Sequence, residues 1–278
     1  MRPATLAGCG AIVLWAFLGL LSRAAAAIPP LQLTAMSFCV AAALGLAVLM
    51  TRGRLSDLRQ RPLAWLHGVG GLFGFHALYF TALAWAPAAQ ANLINYTWPL
   101  LIVLLSALLL GLRLTFRHVV GTVLGAAGCA LLLGGGAHLS ASALPGYLAA
   151  ALSAITWATY SVLSRRFADV PTGAVAGFCA ASAVLAAASH LAFEATVAPD
   201  ARGWLAVLVL GAGPVGGAFF LWDIGMKRGD PRLLGTLAYA TPVASTLLLC
   251  AGGFAPFSAT LLASAILVAA GGLVAARA

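Results

Sequence analysis

Ten runs of about 20 apolar residues follow one another along the chain, separated by short connections. A helix needs about 20 consecutive apolar residues to cross the hydrocarbon core of a bilayer. Only 8% of the residues are charged, against roughly a quarter in soluble domains. The sequence therefore predicts an all-α integral membrane protein. Its ten transmembrane helices, numbered in chain order, are predicted at residues 4–22, 31–50, 63–85, 88–110, 118–136, 145–164, 172–193, 203–226, 232–252 and 257–276.

The Lys and Arg residues predict the orientation of these helices, because basic residues concentrate in cytoplasmic connections. With the N-terminus inside, thirteen of the fifteen lie on the cytoplasmic side, so both termini are predicted to be cytoplasmic. The two bases on the other side are Arg23 and Arg202. The net charge of +9 is scattered between apolar runs and forms no single basic surface, so no nucleic-acid partner is expected.

A weak internal repeat divides the chain into two halves. YTWPL at 96–100 resembles YATPV at 239–243, which pairs Pro99 with Pro242 at a separation of 143 residues (242 − 99). Several other short matches follow in the same order at nearly the same separation. The predicted halves are residues 1–139 and 140–278.

Each half contains five predicted helices, an odd number, so the second half must enter the membrane in the opposite direction. Such an inverted-topology repeat is typical of secondary transporters with a central binding site. The basic pair at 227–228 replaces the neutral pair at 84–85, as expected if only the second of these turns is cytoplasmic. WAFLGLLSR at 15–23 matches WATYSVLSR at 157–165, so the N-terminal run is predicted to be a retained helix instead of a cleaved signal.

The chain resembles the EamA-type drug/metabolite transporter superfamily in its two five-helix halves and in the proline of helices 4 and 9. FHALYFTALAWAPAAQANLINYTWPLL at 75–101 and WDIGMKRGDP at 222–231 look most like the YddG-type aromatic amino-acid exporter branch. The resemblance implies a multi-pass exporter of a bacterial-type inner membrane that alternates between inward-open and outward-open states. It also implies a central cavity lined mainly by helices 1, 3, 4, 6, 8 and 9.

Helix 4 carries a polar and aromatic stretch, ANLINYTWPLL, inside an apolar run. At 3.6 residues per turn, five of its side chains fall on one arc, with Thr97 on the opposite side. Polar groups that face lipid are costly, so the arc is predicted to line the cavity or, alternatively, to hydrogen-bond across helices. The five side chains are those of Asn92, Asn95, Tyr96, Trp98 and Pro99.

Pro99 and Pro242 lack the backbone N–H groups that would bond to the carbonyls of Asn95 and Ala238. The simpler interpretation is a kink or hinge whose freed carbonyls are satisfied by neighbouring groups. The alternative is a symmetric pair of carbonyl oxygens that binds a substrate ammonium. Tyr239, the repeat counterpart of Tyr96, is predicted to belong to the same site.

Aromatic and polar side chains on helices 1, 3 and 6 complete the predicted substrate-binding site. His76 lies near the middle of helix 3, with Tyr79 one turn further out, and an unpaired imidazole in lipid is costly. Trp157 and Tyr160 belong to a polar and aromatic stripe on helix 6, and Trp15 lies at the matching depth in helix 1. For each of these side chains, plain packing is the alternative.

Asp223 is the one carboxylate predicted within a helix, four residues before Lys227 near the cytoplasmic end of helix 8. The spacing favours an ion pair at the helix end, with a gating or proton-coupling role as the alternative. The five cysteines show no metal-ligand spacing, which predicts neither a disulfide framework nor a metal site.

The predicted cavity contains no Lys or Arg, which disfavours phosphorylated substrates. Aromatic walls, amides and freed carbonyls favour a small zwitterion, so we expect export of aromatic and other hydrophobic amino acids. Lipophilic cations, drugs or other neutral metabolites are the alternative substrates.

An integral-membrane enzyme is disfavoured because no catalytic motif occurs. A channel is disfavoured because paired halves favour alternating access. The expected partners are the small-molecule substrate and membrane lipid, with no cofactor. The oligomeric state is left open, and a monomer is compatible with the sequence.

Overall fold

The fold is taken from a computed structural model that describes residues 2–134 and 140–278. Within these residues, ten helices are long and apolar enough to cross a membrane, which confirms the predicted all-α membrane fold. The predicted ends of helix 5 at residue 136 and of the first half at residue 139 lie outside the described residues. The helices are Pro3–Ala16 with Leu18–Ala24 (α1), Pro30–Thr51 (α2), Pro62–Trp85 (α3), Ala88–Asn95 with Trp98–Leu110 (α4), Phe116–Leu133 (α5), Leu144–Leu163 (α6), Ala174–Phe193 (α7), Ala201–Ala212 with Ala218–Arg228 (α8), Pro231–Ala238 with Ala240–Ala251 (α9) and Ala259–Ala276 (α10).

The ends of several helices follow from local sequence. Asp200 and Asp230 precede α8 and α9, and their carboxylates accept hydrogen bonds from backbone N–H groups of the first turn. Thr115 caps α5 in the same way. Gly111 ends α4 with a φ of 66°, a left-handed conformation that glycine adopts without a Cβ clash.

Four of the ten described helices are interrupted within the membrane-spanning region. α1 breaks at Phe17, α4 at Tyr96 and Thr97, and α9 at Tyr239. α8 contains a π-helical turn, Gly213–Gly217, between its two α-helical parts. In α4 and α9 a proline lies at the start of the second part, where its missing N–H costs least. Both interruptions lie close to the prolines for which kinks are predicted, and their residues keep near-helical backbone angles.

The two halves of the chain are interlocked. The most extensive helix contacts are α5 with α10, α2 with α7, α3 with α6 and α1 with α8, and each joins the first half to the second. Close approach of α5 to α10 requires glycine, because a Cβ on Gly121 would lie 2.6 Å from the carbonyl oxygen of Gly271. Neither half could keep its core if the other were removed.

One end of the molecule carries most of the Lys and Arg residues, and we call it the basic face. It comprises both chain termini and the connections α2–α3, α4–α5, α6–α7 and α8–α9. Its guanidinium groups donate to backbone carbonyls of other connections and helix ends, which ties this face together. These bonds run from Arg165 to Gly229 (2.9 Å), from Arg166 to Leu109 (2.6 Å), from Arg232 to Arg113 (2.5 Å) and from Arg117 to Arg277 (2.6 Å).

Candidate functional site

Four tryptophans from four helices meet in the middle of the molecule, and we call them the tryptophan cluster. They come from α1, α4, α6 and α8, and all six pairs of ring centroids are 5.0 to 6.4 Å apart. Most pairs meet edge to face, as aromatic quadrupoles prefer. The cluster consists of Trp15, Trp98, Trp157 and Trp222, each at most 7% exposed.

Two of the four indoles are held by hydrogen bonds. The Nε1–H of Trp15 donates to the carbonyl oxygen of Pro214 at 3.0 Å, and that of Trp222 donates to Oγ of Ser161 at 3.0 Å. Pro214 belongs to the π-helical turn of α8, where the irregular backbone leaves a carbonyl available to a side chain. These bonds fix α1 and α6 against α8.

The other two indoles have free donors. Within the described part of the chain, no protein group accepts the Nε1–H of Trp98 or of Trp157. Both side chains are largely buried, Trp98 at 6% and Trp157 at 3% exposed. The cluster therefore presents two directed N–H donors on otherwise apolar walls, and these suit a substrate carboxylate or carbonyl.

His76 lies beside the tryptophan cluster in an aromatic surrounding. Its Nδ1 is 2.7 Å from the carbonyl oxygen of Leu72. A carbonyl only accepts, so Nδ1 carries a proton, and in the neutral imidazole Nε2 is then an acceptor. The surrounding rings, with centroids 5.1 to 6.2 Å from the imidazole, are those of Phe38, Phe75, Phe80 and Phe219.

The two amides of α4 make contacts between helices. The hydroxyl of Tyr79 on α3 donates to Oδ1 of Asn92. The Oδ1 of Asn95, which is 5% exposed, accepts from Oγ of Ser153 on α6 at 2.8 Å. Asn95 therefore makes an interhelical hydrogen bond, which was the alternative to lining the cavity. Asn92 is bonded to Tyr79, another predicted site residue.

Tyr96 and Tyr239 lie away from the tryptophan cluster. Both belong to a separate apolar cluster with Cys129 of α5 and Val243 of α9. Tyr96 and Trp98 are two positions apart, which places them about 200° apart around a helix. The two rings therefore pack into different clusters, Trp98 with the other tryptophans and Tyr96 beside Tyr239.

The two breaks are packed against each other. A Cβ on Gly235 of α9 would lie 2.9 Å from the carbonyl oxygen of Pro99, so glycine is needed for this approach. The carbonyls freed by Pro99 and Pro242 are those of Asn95 and Ala238, in the last residues of the first parts of α4 and α9. The breaks in the two halves thus form one central region.

Tyr160 lies on the basic-face side of the tryptophan cluster. Its ring is 5.4 Å from Trp157 and 4.9 Å from the imidazole of His67, centroid to centroid. It packs on Gly71 of α3, where a Cβ would lie 2.2 Å from the ring. Tyr160 therefore covers the cluster on the side of the basic face. This is a packing role, which was the alternative to substrate binding.

Asp223 and Lys227 form a buried ion pair below the cluster. Their side chains are 4% and 5% exposed, and Nζ lies 2.8 Å from Oδ1. Thr172 donates its hydroxyl to Oδ2 at 2.6 Å, and Lys227 donates to the carbonyl of Val170 at 2.8 Å. The predicted pair is present, and it also joins α8 to the α6–α7 connection.

No group of three His, Cys, Asp or Glu side chains suited to a metal occurs among the described residues.

The sequence analysis missed Trp222 and Phe219, which supply one wall of the site. The separation of 143 that relates Pro99 to Pro242 also relates Tyr79 to Trp222 and His76 to Phe219 (222 − 79 and 219 − 76). Applying the repeat to the site residues on helix 3 would therefore have found both. Phe38 and Phe75 were also missed, and no polar pattern distinguishes them from other apolar residues.

Comparison with known proteins places this arrangement in a family. Residues 2–134 and 144–277 match the EamA-like transporter family. The aromatic amino acid exporter YddG of Ancylobacter novellus is 54% identical over 276 residues, which cover 98% of this chain and 96% of that protein. The protein of the same name from Salmonella typhimurium is 28% identical, with the same coverage.

A solved crystal structure gives the same result for the fold. It is 53% identical to this chain and superimposes with a TM-score of 0.96 over 99% of this chain and 96% of its own. The family match, the relatives and the ten apolar helices agree with one another. The chain belongs to the EamA-like transporter family of multi-pass membrane proteins, and the predicted resemblance to its YddG-type branch is confirmed.

Proposed function

We propose that this transporter exports aromatic and other hydrophobic amino acids by alternating access through the space around the tryptophan cluster. The observation that carries the proposal is the meeting of four indoles from four helices, two of them with free N–H donors. Such walls exclude water and favour an apolar side chain by burial and ring contact. The names of the relatives point to the same class of substrate.

The backbone of an amino acid finds complementary groups beside the indoles. The free donors of Trp98 and Trp157 suit the carboxylate. Nε2 of His76 and the carbonyls freed at Asn95 and Ala238 are acceptors suited to the ammonium. Aromatic rings around His76 add cation–π attraction for the same group.

Export by alternating access fits the relation between the two halves. Exchanging the halves converts the contact of α1 with α8 into that of α6 with α3, and both are among the most extensive contacts. This is the pattern expected of inverted repeats related by a pseudo-twofold axis. We assign the basic face and both termini to the cytoplasm of a bacterial-type inner membrane, because basic connections stay inside.

We infer that, in this orientation, the molecule is closed toward the cytoplasm. The guanidinium–carbonyl bonds of the basic face and the pair of Asp223 with Lys227 hold its connections together. We assign the pair a gating role, since the cytoplasmic side cannot open while it ties α8 to the α6–α7 connection. Tyr160 and His67 lie directly above it.

Counterflow in proteoliposomes tests the proposal. Vesicles loaded with an unlabelled amino acid should take up the labelled amino acid, with saturation, for phenylalanine, tyrosine, tryptophan and leucine. Uptake should be weak for aspartate and lysine, because the site has no compensating charge. Trp98→Ala and His76→Ala should reduce uptake at least about tenfold, since each removes a substrate contact worth more than ~1.4 kcal/mol.

Leu108→Ala is the matched control, because this residue lies on the same helix as Trp98 but is 77% exposed on the outer surface. It should transport as the wild type does. If no amino acid shows saturable counterflow, the proposed substrate class is wrong. If a quaternary ammonium compound is exchanged in its place, the alternative of lipophilic cation export is correct, since an aromatic cage also binds cations.

A further inference from the structure

A groove of about 420 Å³ opens on the membrane-facing surface between α2 and α8. It lies outside the substrate site, and its volume is within the range of about 300–1,000 Å³ typical of ligand pockets. Its outer walls include Leu44 and Val48, which are 49% and 48% exposed. Its floor is made of small residues of both helices, among them Ala41, Gly45 and Gly216.

The groove lies beside the π-helical turn of α8, and glycines of this region line it. Gly216 and Gly211 bring the backbone of α8 against α2, where added Cβ atoms would lie 3.2 Å from Ala41 and 2.5 Å from Val40. Residues without side chains leave the surface above them hollow. Nearer the basic face, the groove is lined by Phe220 of α8.

The end of the groove at the basic face is positively charged. Arg52 and Arg54 line it, and Arg54 is paired with Asp57 at 2.9 Å between Nη2 and Oδ2. Within residues 2–134 and 140–278, no acidic side chain pairs with Arg52. The mouth therefore keeps one uncompensated guanidinium next to an apolar channel that faces lipid.

We propose that this groove binds an anionic phospholipid, with one acyl chain along α2 and α8 and the phosphate on Arg52. Basic pockets between membrane helices on the cytoplasmic side attract anionic head groups. A guanidinium binds a phosphate through two parallel N–H donors, whereas it gains less from a zwitterionic head group whose charges cancel. The assignment to the cytoplasmic leaflet rests on the proposed orientation of the chain.

The bound lipid would contact the outer side of the helix that forms one wall of the substrate site. On α8, Phe220 and Ile224 face the groove, whereas Phe219 and Trp222 face the tryptophan cluster. Thr172, which donates to Asp223, also lines the groove. The lipid thus supports α8 where it is tied to the α6–α7 connection, and it should stabilise the form that is closed at the basic face.

Thermal unfolding of the purified, delipidated full chain in detergent tests the proposal. Dioleoyl phosphatidylglycerol and dioleoyl phosphatidylcholine are added at equal mole fraction, so that only the head group differs. We expect the anionic lipid to raise the unfolding temperature by about 2–4 °C more than the zwitterionic lipid does. Glycerol phosphate, which has the anion but no acyl chain, should give no rise.

Variants of the groove distinguish a site from a general charge effect. Arg52→Gln should abolish the difference between the two lipids, and Arg52→Lys should keep part of it. Arg59→Gln removes an exposed base from the same face, outside the groove, and should keep all of it. Ala212→Phe, which fills the groove from an exposed position, should also abolish the difference.

Several outcomes would overturn the proposal. One is equal stabilisation by the two lipids in the wild type, and another is a difference that survives Arg52→Gln. Stabilisation by glycerol phosphate alone would show that the ligand is a free anion. A dimer that Ala212→Phe converts to a monomer in size-exclusion chromatography would show that a second copy of the chain occupies the groove. Wild-type counterflow by Arg52→Gln verifies that this variant is folded.

Discussion

At the scale of single residues, the indole donors of Trp98 and Trp157 distinguish them from the other two tryptophans of the cluster. Trp15 and Trp222 use their N–H groups to hold helices together. A donor that is left without a protein acceptor in a tightly packed region costs free energy unless a ligand or water completes it. The division of the four indoles into two structural and two available donors therefore predicts different effects of the same substitution.

Trp98→Phe keeps a six-membered ring in the cluster and removes the available donor together with the five-membered part of the indole. We expect the half-saturation concentration for phenylalanine counterflow to rise about tenfold or more, because a hydrogen bond to a charged group contributes about 1.5–3 kcal/mol. Trp15→Phe removes the same ring volume and also the hydrogen bond to Pro214, so it should lower the unfolding temperature more than Trp98→Phe does and affect affinity less. An unchanged half-saturation concentration in Trp98→Phe would contradict the role given to the donor.

Much of this site was predictable from the sequence, for a reason that also explains the errors. The residue type alone identified three candidates, because a tryptophan stands out inside a run of aliphatic residues. These are Trp98, Trp157 and Trp15. Phe38 and Phe75 resemble any core residue, and nothing but three-dimensional contact distinguishes them. Tyr96 packs apart from Trp98 because residues two positions apart lie on nearly opposite sides of a helix, so the predicted arc was too wide to describe one site.

At the scale of helices, α4 and α9 are both interrupted in the middle of the molecule. Each interruption leaves backbone carbonyls there and changes the direction in which the following side chains point. A proline in a helix predicts a kink, but it does not predict that two residues, Tyr96 and Thr97, leave the helix before it. Broken helices in transporters supply both ligands and flexibility at the binding site. The two breaks are in contact at Gly235, so they are expected to move together.

Pro99→Ala restores the N–H that can bond to the carbonyl of Asn95 and should make α4 more continuous. We expect the maximal counterflow rate to fall several-fold without a fall in unfolding temperature, because a straighter helix resists the change between states. Pro62→Ala is the control, since Pro62 begins α3 and replaces no internal hydrogen bond. A rate equal to that of the wild type would show that the proline of α4 serves packing alone.

The start of α9 offers a prediction about stability and pH. Asp230 accepts from the backbone N–H groups of Arg232 and Leu233 and from the guanidinium of Arg232. Burial raises the pKa of the Asp230 carboxyl, but the hydrogen bonds and charge of Arg232 outweigh burial and hold the pKa below its ordinary value of 3.8. The stabilisation is therefore complete above about pH 4 to 5 and is lost as the pH falls through the lower pKa of the folded state.

Asp230→Ala should destabilise the protein by about 1 kcal/mol at pH 7, as expected for loss of a helix cap. Thermal unfolding of the wild type and the variant, measured from pH 7 down to pH 3, should show a constant difference that shrinks below about pH 4. Asp230→Asn keeps a capping oxygen and should lose less. A difference that stays constant to pH 3 would mean that the charge of Asp230 contributes nothing.

At the scale of the whole molecule, the interlocked halves determine what the proposed alternating access would require. Helices of one half pack against helices of the other at every major contact, so a change of state must repack these contacts together. The sequence predicted two halves because short motifs recur at one separation. It could not predict that the equivalent helices α5 and α10, and α2 and α7, pack on each other, since a repeat in sequence carries no information on docking.

The pair of Asp223 and Lys227 is where this closure can be tested most directly. Each charge is almost fully buried and is satisfied by the other and by the α6–α7 connection. Removal of one partner leaves a buried charge that costs about 3–5 kcal/mol, whereas removal of both can be nearly neutral. The charge that has lost its partner becomes hydrated if the basic face opens. Substitution of only one of the two residues should therefore favour the form that is open on this side.

We therefore expect Lys227→Met to increase the reaction of a cysteine at position 164 with a membrane-impermeant maleimide added from the basic face. Ser164 is 2% exposed and lies beside the pair, so Ser164→Cys in a background without the native cysteines should react slowly while the face is closed. Adding Asp223→Leu to Lys227→Met should return the rate toward that of the wild type, because no unpaired charge then remains. Arg59→Cys, exposed on the same face, should react equally in all backgrounds. Equal labelling at position 164 in the single and double variants would show that the pair stabilises α8 without controlling the opening of this face.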